Sequence, residues 1–297
     1  MTVRLVHKMI RDLIREERHA NDPLEPGPTV VLKREPLAPN LQLLTVRAPT
    51  VASKIQPGQF VIVRADEFGE RIPLTVADWD REEGWISCVF MQVGTSTYKL
   101  GQLKVGEALP TFVGPLGKPL ELDHWGSVVC AGGCYGIGSI YPVARALKEK
   151  GNRVISLVEG RSKFLLYWLD RLEAVSDRVL VSTKDRSLGN NGYCPGLVRD
   201  LLAAGETIDR VIAIGCTFMM YEMAEATRPF AVKTIVSLNP IMIDGTGMCG
   251  ACRVSVGGET RFACVDGPDF DAHQVDWDLL LARRKAYLGP ETDSAER

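Results

Sequence analysis

The chain has 297 residues, with 35 Lys and Arg against 37 Asp and Glu, for a formal net charge of -2. That balance gives no electrostatic basis for binding nucleic acid or an anionic membrane. At 45% hydrophobic and 24% charged residues it has the composition of a globular protein of about two or three domains, and no apolar run reaches the roughly 18 residues that a membrane span requires.

Residues 1–28 read as an N-terminal helix and linker. Leu5, Met9, Ile10, Leu13 and Ile14 share one face at helical spacing. That face suits either packing on its own domain or docking a partner. NDPLEPGP then reads as a linker. The start lacks the uninterrupted apolar core of a signal peptide, and the eight cysteines are unevenly spaced, unlike a secreted disulfide framework. A reducing cytoplasm is the expected compartment.

Residues 29–123 read as short strands between glycine turns: VVLKREPLAPNLQLLTVRAP around a Pro/Asn turn, then FVIVRAD, RIPLTVADWD and WISCVFMQV. Such spacing predicts a small β-barrel. From residue 124 to 238 strands and helices alternate. The strands are SVVCAGG, VISLVEG, VLVST, VIAIG and VKTIVSL. The helices are SIYPVARALKEKG, KFLLYWLDRLEAV, GLVRDLLAAG and MMYEMAEATRPF. This pattern predicts a doubly wound parallel sheet. Residues 239–297 hold a cysteine-rich loop with a short hairpin-like segment (Arg253 to Phe262 about Gly257-Gly258) ahead of Cys264, then a helix WDLLLARRKAYL and a polar tail.

Three stretches carry chemistry. The loop AGGCYGIGS follows an apolar strand and opens a helix, so Gly132, Gly133, Gly136 and Gly138 would let a dinucleotide pyrophosphate approach a helix N-terminus. Glu159 could accept a ribose hydroxyl and favour NAD, whereas Arg161 and Lys163 could hold a 2′-phosphate; the balance is read as NAD(H). Thr183-Lys184-Asp185 and Gly215-Cys216-Thr217 fall at the same end of the sheet. Cys216 is either a residue beside the nicotinamide or a small buried side chain. In the barrel, Arg71, Pro73, Leu74 and Thr75 form an R-x-P-L-T run. Its guanidinium can neutralise a pyrophosphate and its hydroxyl can bond a flavin ring. Gly94, Thr95, Ser96 and Thr97 offer amides and hydroxyls to phosphate. Finally, Cys249, Cys252 and Cys264 lie in a glycine-rich segment. They are one ligand short for zinc or iron–sulfur, with Asp244, Asp266 and His273 as candidates for the fourth.

In this order, the motifs resemble the ferredoxin–NADP reductase superfamily over residues 29–238. With the cysteine segment added, the chain is similar to the electron-transfer subunits of dihydroorotate dehydrogenase. It is closer still to the small subunits of NADH-dependent ferredoxin:NADP oxidoreductases, which are electron-bifurcating and sulfide dehydrogenase-like. The resemblance implies FAD on the Arg71–Thr75 run, NAD(H) on the glycine loop, and a [2Fe–2S] cluster on Asp244, Cys249, Cys252 and Cys264 in the pattern D-x4-C-x2-C-x11-C. It further implies Thr75 and Cys216 beside the reacting rings and a larger flavoprotein partner with [4Fe–4S] clusters. Within the same class stand subunits feeding dihydroorotate dehydrogenase, a sulfhydrogenase or a hydrogenase. From a different class stands a zinc-stabilised nucleotide-sensing module.

Overall fold

Strands come first: Val30–Ala38 (β1), mostly half-buried or exposed, pairs antiparallel with Leu41–Arg47 (β2), buried along all but its last residue, about a turn at Asn40, whose φ is 58°. The computed structural model describes residues 29–285, so the expected N-terminal helix, its linker and the polar tail lie outside the described residues. A short helix α1 (Pro49–Ala52) follows, then β3 (Phe60–Arg64), β4 (Ile72–Asp80), β5 (Trp85–Met91), helix α2 (Thr95–Gln102) and β6 (Thr111–Leu116). They form one antiparallel sheet in the order β1-β2-β5-β4-β3-β6. It closes into a barrel where Val30 bridges Ala108 and the Val31 amide donates to the Glu107 carbonyl at 2.9 Å. The inside is a continuous apolar core that includes Leu44, Val61, Val63, Ile86 and Leu100.

The second layer is the expected parallel sheet. β7 (Ser127–Gly133), α3 (Gly136–Glu149), β8 (Arg153–Gly160), α4 (Leu169–Glu173), β9 (Arg178–Thr183), β10 (Asn190–Asn191), α5 (Cys194–Ala203), β11 (Arg210–Ile214), α6 (Thr217–Thr227) and β12 (Lys233–Ser237) follow in turn. The winding runs outward from β7 in both directions, so β7 and β11 are neighbours, with Gly132 opposite Ile214. That reversal point is where such sheets open a crevice at their carboxyl ends.

Two sequence expectations are corrected. KFLLYWLDRLEAV is not one helix: a 3-10 turn at Lys163–Leu165 and the short α4 flank Trp168, whose φ of 55° interrupts it. Tertiary contacts explain the break. The buried Tyr167 hydroxyl reaches the start of α3, and Trp168 lies against the Arg171 guanidinium at 4.1 Å. The second correction concerns the C-terminal segment. The hairpin-like stretch ahead of Cys264 is indeed a hairpin, of β13 (Arg253–Val256) and β14 (Glu259–Phe262), but a further strand that the sequence did not signal, β15 (Asp269–Asp271), pairs antiparallel with β12 as the last strand of the sheet. The segment is thus sewn into the sheet, and α7 (Trp277–Lys285) packs Trp277 and Leu280 into the same core.

Barrel and sheet are locked together. Asp78, nearly buried on β4, takes ion pairs from Arg145 of α3 at 3.1 Å and from Arg171 of α4. The guanidiniums lie over Trp79, Tyr141 and Trp168. No helix among the described residues is long and apolar enough to cross a membrane.

Candidate functional site

The seam between barrel and sheet opens into a cavity of about 240 Å³. Barrel residues Phe60, Pro73, Leu74, Thr75 and Thr97 form one wall, and Tyr135, Ile214, Leu238 and Asn239 from the carboxyl end of the sheet form the other. β4 positions Thr75 because Phe60 and Thr75 are Cα partners across the β3–β4 ladder. An apolar slot with a few polar groups on its rim suits a flat heteroaromatic ring. Pro73, Leu74, Thr75 and Thr97 of the expected site line this slot; Arg71, Cys216, Glu159 and Arg161 do not.

The glycine loop is tightly packed. A Cβ on Gly136 would lie 1.9 Å from the Ile214 carbonyl oxygen, one on Gly133 2.8 Å from Glu159, and one on Gly138 2.9 Å from Val89 of the barrel. All three need glycine to let strand, helix and barrel approach, whatever else they do. The helix does not present every N–H freely, as the motif had suggested. The Gly138 amide donates to the Tyr167 hydroxyl at 2.8 Å, and that hydroxyl donates on to the Cys134 carbonyl at 3.0 Å.

Glu159 also has a partner within the protein. It is buried at the end of β8, and Oε2 accepts from the Cys194 amide at 2.7 Å, so it caps the start of α5. Burial raises its pKa. Arg161 is exposed just beyond it. Cys216 is exposed and caps α6, its Sγ accepting from the Met219 amide at 3.4 Å. At Gly94-Thr95-Ser96-Thr97 the expected phosphate loop is the first turn of α2. The Thr97 hydroxyl takes the Val93 and Gly94 amides at 3.0 and 3.2 Å, and Ser96 donates to Glu70 at 3.1 Å.

Sequence reasoning missed a polar latch beside the cavity. Asn239 Nδ2 donates to the Tyr135 hydroxyl at 2.7 Å, that hydroxyl donates to the Gly215 carbonyl at 2.8 Å, and Thr217 donates to Asn239 Oδ1 at 2.8 Å. Burial pushes the Tyr135 phenol up to about 12. Tyr135 sits inside the glycine loop that marked the site, so its position was visible, but nothing local pointed to Asn239 as its partner.

The cysteine loop lies at one edge. Cys252 and Cys264 are buried with sulfurs 3.1 Å apart, both free thiols, while Cys249 is exposed. Burial, then the Cys252 sulfur, pushes the Cys264 thiol up to about 12, so a metal ion must displace its proton to bind. Asp244 is tied to the third cysteine: its carboxylate accepts from the Cys249 amide at 2.8 Å and from the Thr246 amide and hydroxyl. Those bonds hold its pKa well below the usual carboxylate range. Among the described residues no three His, Cys, Asp or Glu side chains converge on one point. The donor set still fits iron–sulfur ligation: two adjacent thiols, with a third thiol and a carboxylate on a loop turned by Gly245 and Gly250 at φ 80° and 69°. The rival fourth ligands, like Asp244, have partners within the protein. Asp266 accepts from the Phe262 amide at 2.7 Å, and His273 bonds Thr227 of α6 at 3.0 Å. Arg71 also points here. Its Nε donates to the Ile243 carbonyl at 3.1 Å.

Comparison with known proteins agrees with this geometry. The model of the iron-sulfur cluster binding domain of dihydroorotate dehydrogenase B matches residues 239–276. A Thermotoga maritima protein described as a dihydroorotate dehydrogenase B (NAD(+)) electron transfer subunit homolog is 44% identical over 90% of this chain and 94% of its own length. The Enterococcus faecalis dihydroorotate dehydrogenase B electron transfer subunit is 30% identical over 83% of this chain and 96% of its own. In solved structures, a chain of the NADH-dependent reduced ferredoxin-NADP oxidoreductase, described in connection with flavin-based electron bifurcation, is 41% identical. It superposes with a TM-score of 0.86, covering 93% of this chain and 99% of that one. A Neisseria gonorrhoeae ferredoxin NADP+ reductase shares the fold at a TM-score of 0.57 and 15% identity, over 69% of this chain and 91% of its own. The chain therefore belongs to the family of electron-transfer subunits typified by dihydroorotate dehydrogenase B and its NADH-dependent ferredoxin–NADP oxidoreductase homologues, on a ferredoxin reductase-like fold.

Proposed function

We propose that this chain is the electron-transfer subunit of an NADH-dependent ferredoxin:NADP oxidoreductase. When bound, FAD supplies hydride exchange with NAD(H) and a [2Fe–2S] cluster supplies a one-electron path to or from a larger flavoprotein partner carrying [4Fe–4S] clusters. The observation that carries this reading is the cavity between barrel and sheet, walled by Pro73, Leu74 and Thr75, beside a loop with three thiols and Asp244. Thr75 orients the flavin ring edge. The Tyr135–Asn239–Thr217 latch fixes the crevice against which a nicotinamide would rest. Asp244, Cys249, Cys252 and Cys264 hold the cluster.

Glu159 Oε2 accepts from the Cys194 amide and leaves Oε1 for a ribose hydroxyl. The preference for NAD(H) is supported further by relatives described as NAD(+)- and NADH-dependent. The partner is argued from the same likeness and from apolar side chains exposed on the cysteine loop, with Met248 89% exposed and Ile243 50%. Dihydroorotate dehydrogenase as the partner is the second reading, favoured by the Enterococcus faecalis relative.

Anaerobically purified protein should show flavin absorption over a broad red-brown shoulder. It should contain iron and acid-labile sulfide in equal amounts and bleach with NADH. A colourless protein containing zinc would end this reading in favour of a nucleotide-sensing module.

A further inference from the structure

Four backbone carbonyl oxygens of the cysteine loop accept hydrogen bonds from arginines. Arg71, ahead of β4 in the barrel, donates to the Ile243 carbonyl at 3.1 Å and the Asp244 carbonyl at 3.5 Å. Arg253, at the start of the loop's own hairpin, donates to the Gly250 carbonyl at 3.1 Å. Arg283, on α7, donates to the Ala251 carbonyl at 3.2 Å. The three come from three separate elements. Their hydrogen bonds bracket Asp244 and the stretch between Cys249 and Cys252. Among the described residues, none of the three forms an ion pair with a carboxylate. Amides of the same loop meet the candidate ligand atoms: the Cys249 amide donates to Asp244 at 2.8 Å, and the Cys264 amide donates to the Cys252 sulfur at 3.5 Å.

We propose that Arg71, Arg253 and Arg283 form a guanidinium clamp that positions the ligand loop and raises the reduction potential of the cluster it holds. The proposal rests on the reading of this loop as an iron–sulfur site. The reason is electrostatic. A cluster ligated by three thiolates and a carboxylate is net negative and becomes more so on taking up an electron, and nearby cations favour that reduced state. Each arginine also fixes a carbonyl, which fixes the direction of the adjacent amide and thiol. Outer partners of this kind govern metal retention as well as tuning. The three are positioning residues, since none carries a ligand atom. Because Arg71 also belongs to the flavin motif, Arg253 and Arg283 separate the clamp from flavin binding.

The test uses the full chain with both cofactors loaded. In Arg253→Gln and Arg283→Gln, redox titration followed by the reduced-cluster EPR signal should give a lower cluster midpoint potential, lowest in the double variant. Iron release to a chelator should be about tenfold faster. Flavin content and flavin midpoint potential should match the parent. Arg283→Lys, which keeps the charge but not the fork, should keep most of the potential while releasing iron faster. Loss of iron with full flavin retention would also count for the clamp. Arg253 is exposed on a hairpin, so its variant is the one that misfolding does not confound. A double variant whose cluster potential and iron retention equal the parent's overturns the clamp. A parent protein free of iron overturns the loop assignment itself.

Discussion

Asp244 does two things at once. It closes the loop by accepting from Thr246 and from Cys249, and it brings a carboxylate to the only segment where three cysteines gather. In the proposed function it supplies the fourth ligand, an oxygen donor among sulfurs. Replacing Asp244 by Ala should therefore remove most of the iron while leaving flavin content near that of the parent, measured by metal assay and absorption on the same sample. Full iron in that variant would move the fourth ligand to Asp266 or His273.

Among elements, the contact of β4 with α3 and α4 decides how the barrel faces the sheet. Asp78 is nearly buried and takes both Arg145 and Arg171. Asp78→Asn leaves two guanidiniums without their counter-charge in a partly desolvated seam. Breaking a buried pair of this kind costs roughly 3 kcal/mol, and the partial exposure of both arginines lowers that figure. Urea unfolding should show the loss. The cavity should also suffer, because its two walls belong to the two bodies that this contact holds, so flavin retention should fall with stability. An unchanged unfolding midpoint would show the aromatic stacking around Tyr141 and Trp168 to be the stronger clasp.

Over the whole molecule, one buried acid at the junction of barrel and sheet links folding to pH. Asp269 begins β15, and both carboxylate oxygens are shielded from solvent with no hydrogen-bond partner of good geometry, the Ser237 hydroxyl nearby only partly offsetting their burial. Oδ2 lies 2.5 Å from where a Cβ on Gly58 would stand. Burial raises its pKa from 3.8 to about 7. The unfolded chain releases this proton near pH 3.8 and the folded chain near pH 7. The group thus imposes no penalty below the lower value, a growing penalty between them, and a constant one above. At full size that is about 4 kcal/mol, an upper figure. Asp269→Asn should abolish this slope, so its stability advantage over the parent should grow between about pH 5 and pH 7.5. Denaturation curves that stay parallel across that range would rule the linkage out.

The amino-acid sequence determined the elements whose signals are local. Apolar strands about the turn at Asn40, apolar strands ending in glycine, and thiols set between glycines each follow from backbone sterics and short-range burial. What it could not show depends on residues far apart in the chain. Tyr167 and Trp168 broke a helical pattern because one bonds α3 and the other packs on Arg171. Glu159 turned inward because α5, starting at Cys194, needed a cap. Arg71 reached across to Ile243, and β15 left the cysteine segment to complete the sheet. Local periodicity records only which face of an element is buried. The partner that buries it, and so the bond each polar side chain finally makes, is set by chain closure over long separations, and only the folded molecule contains it.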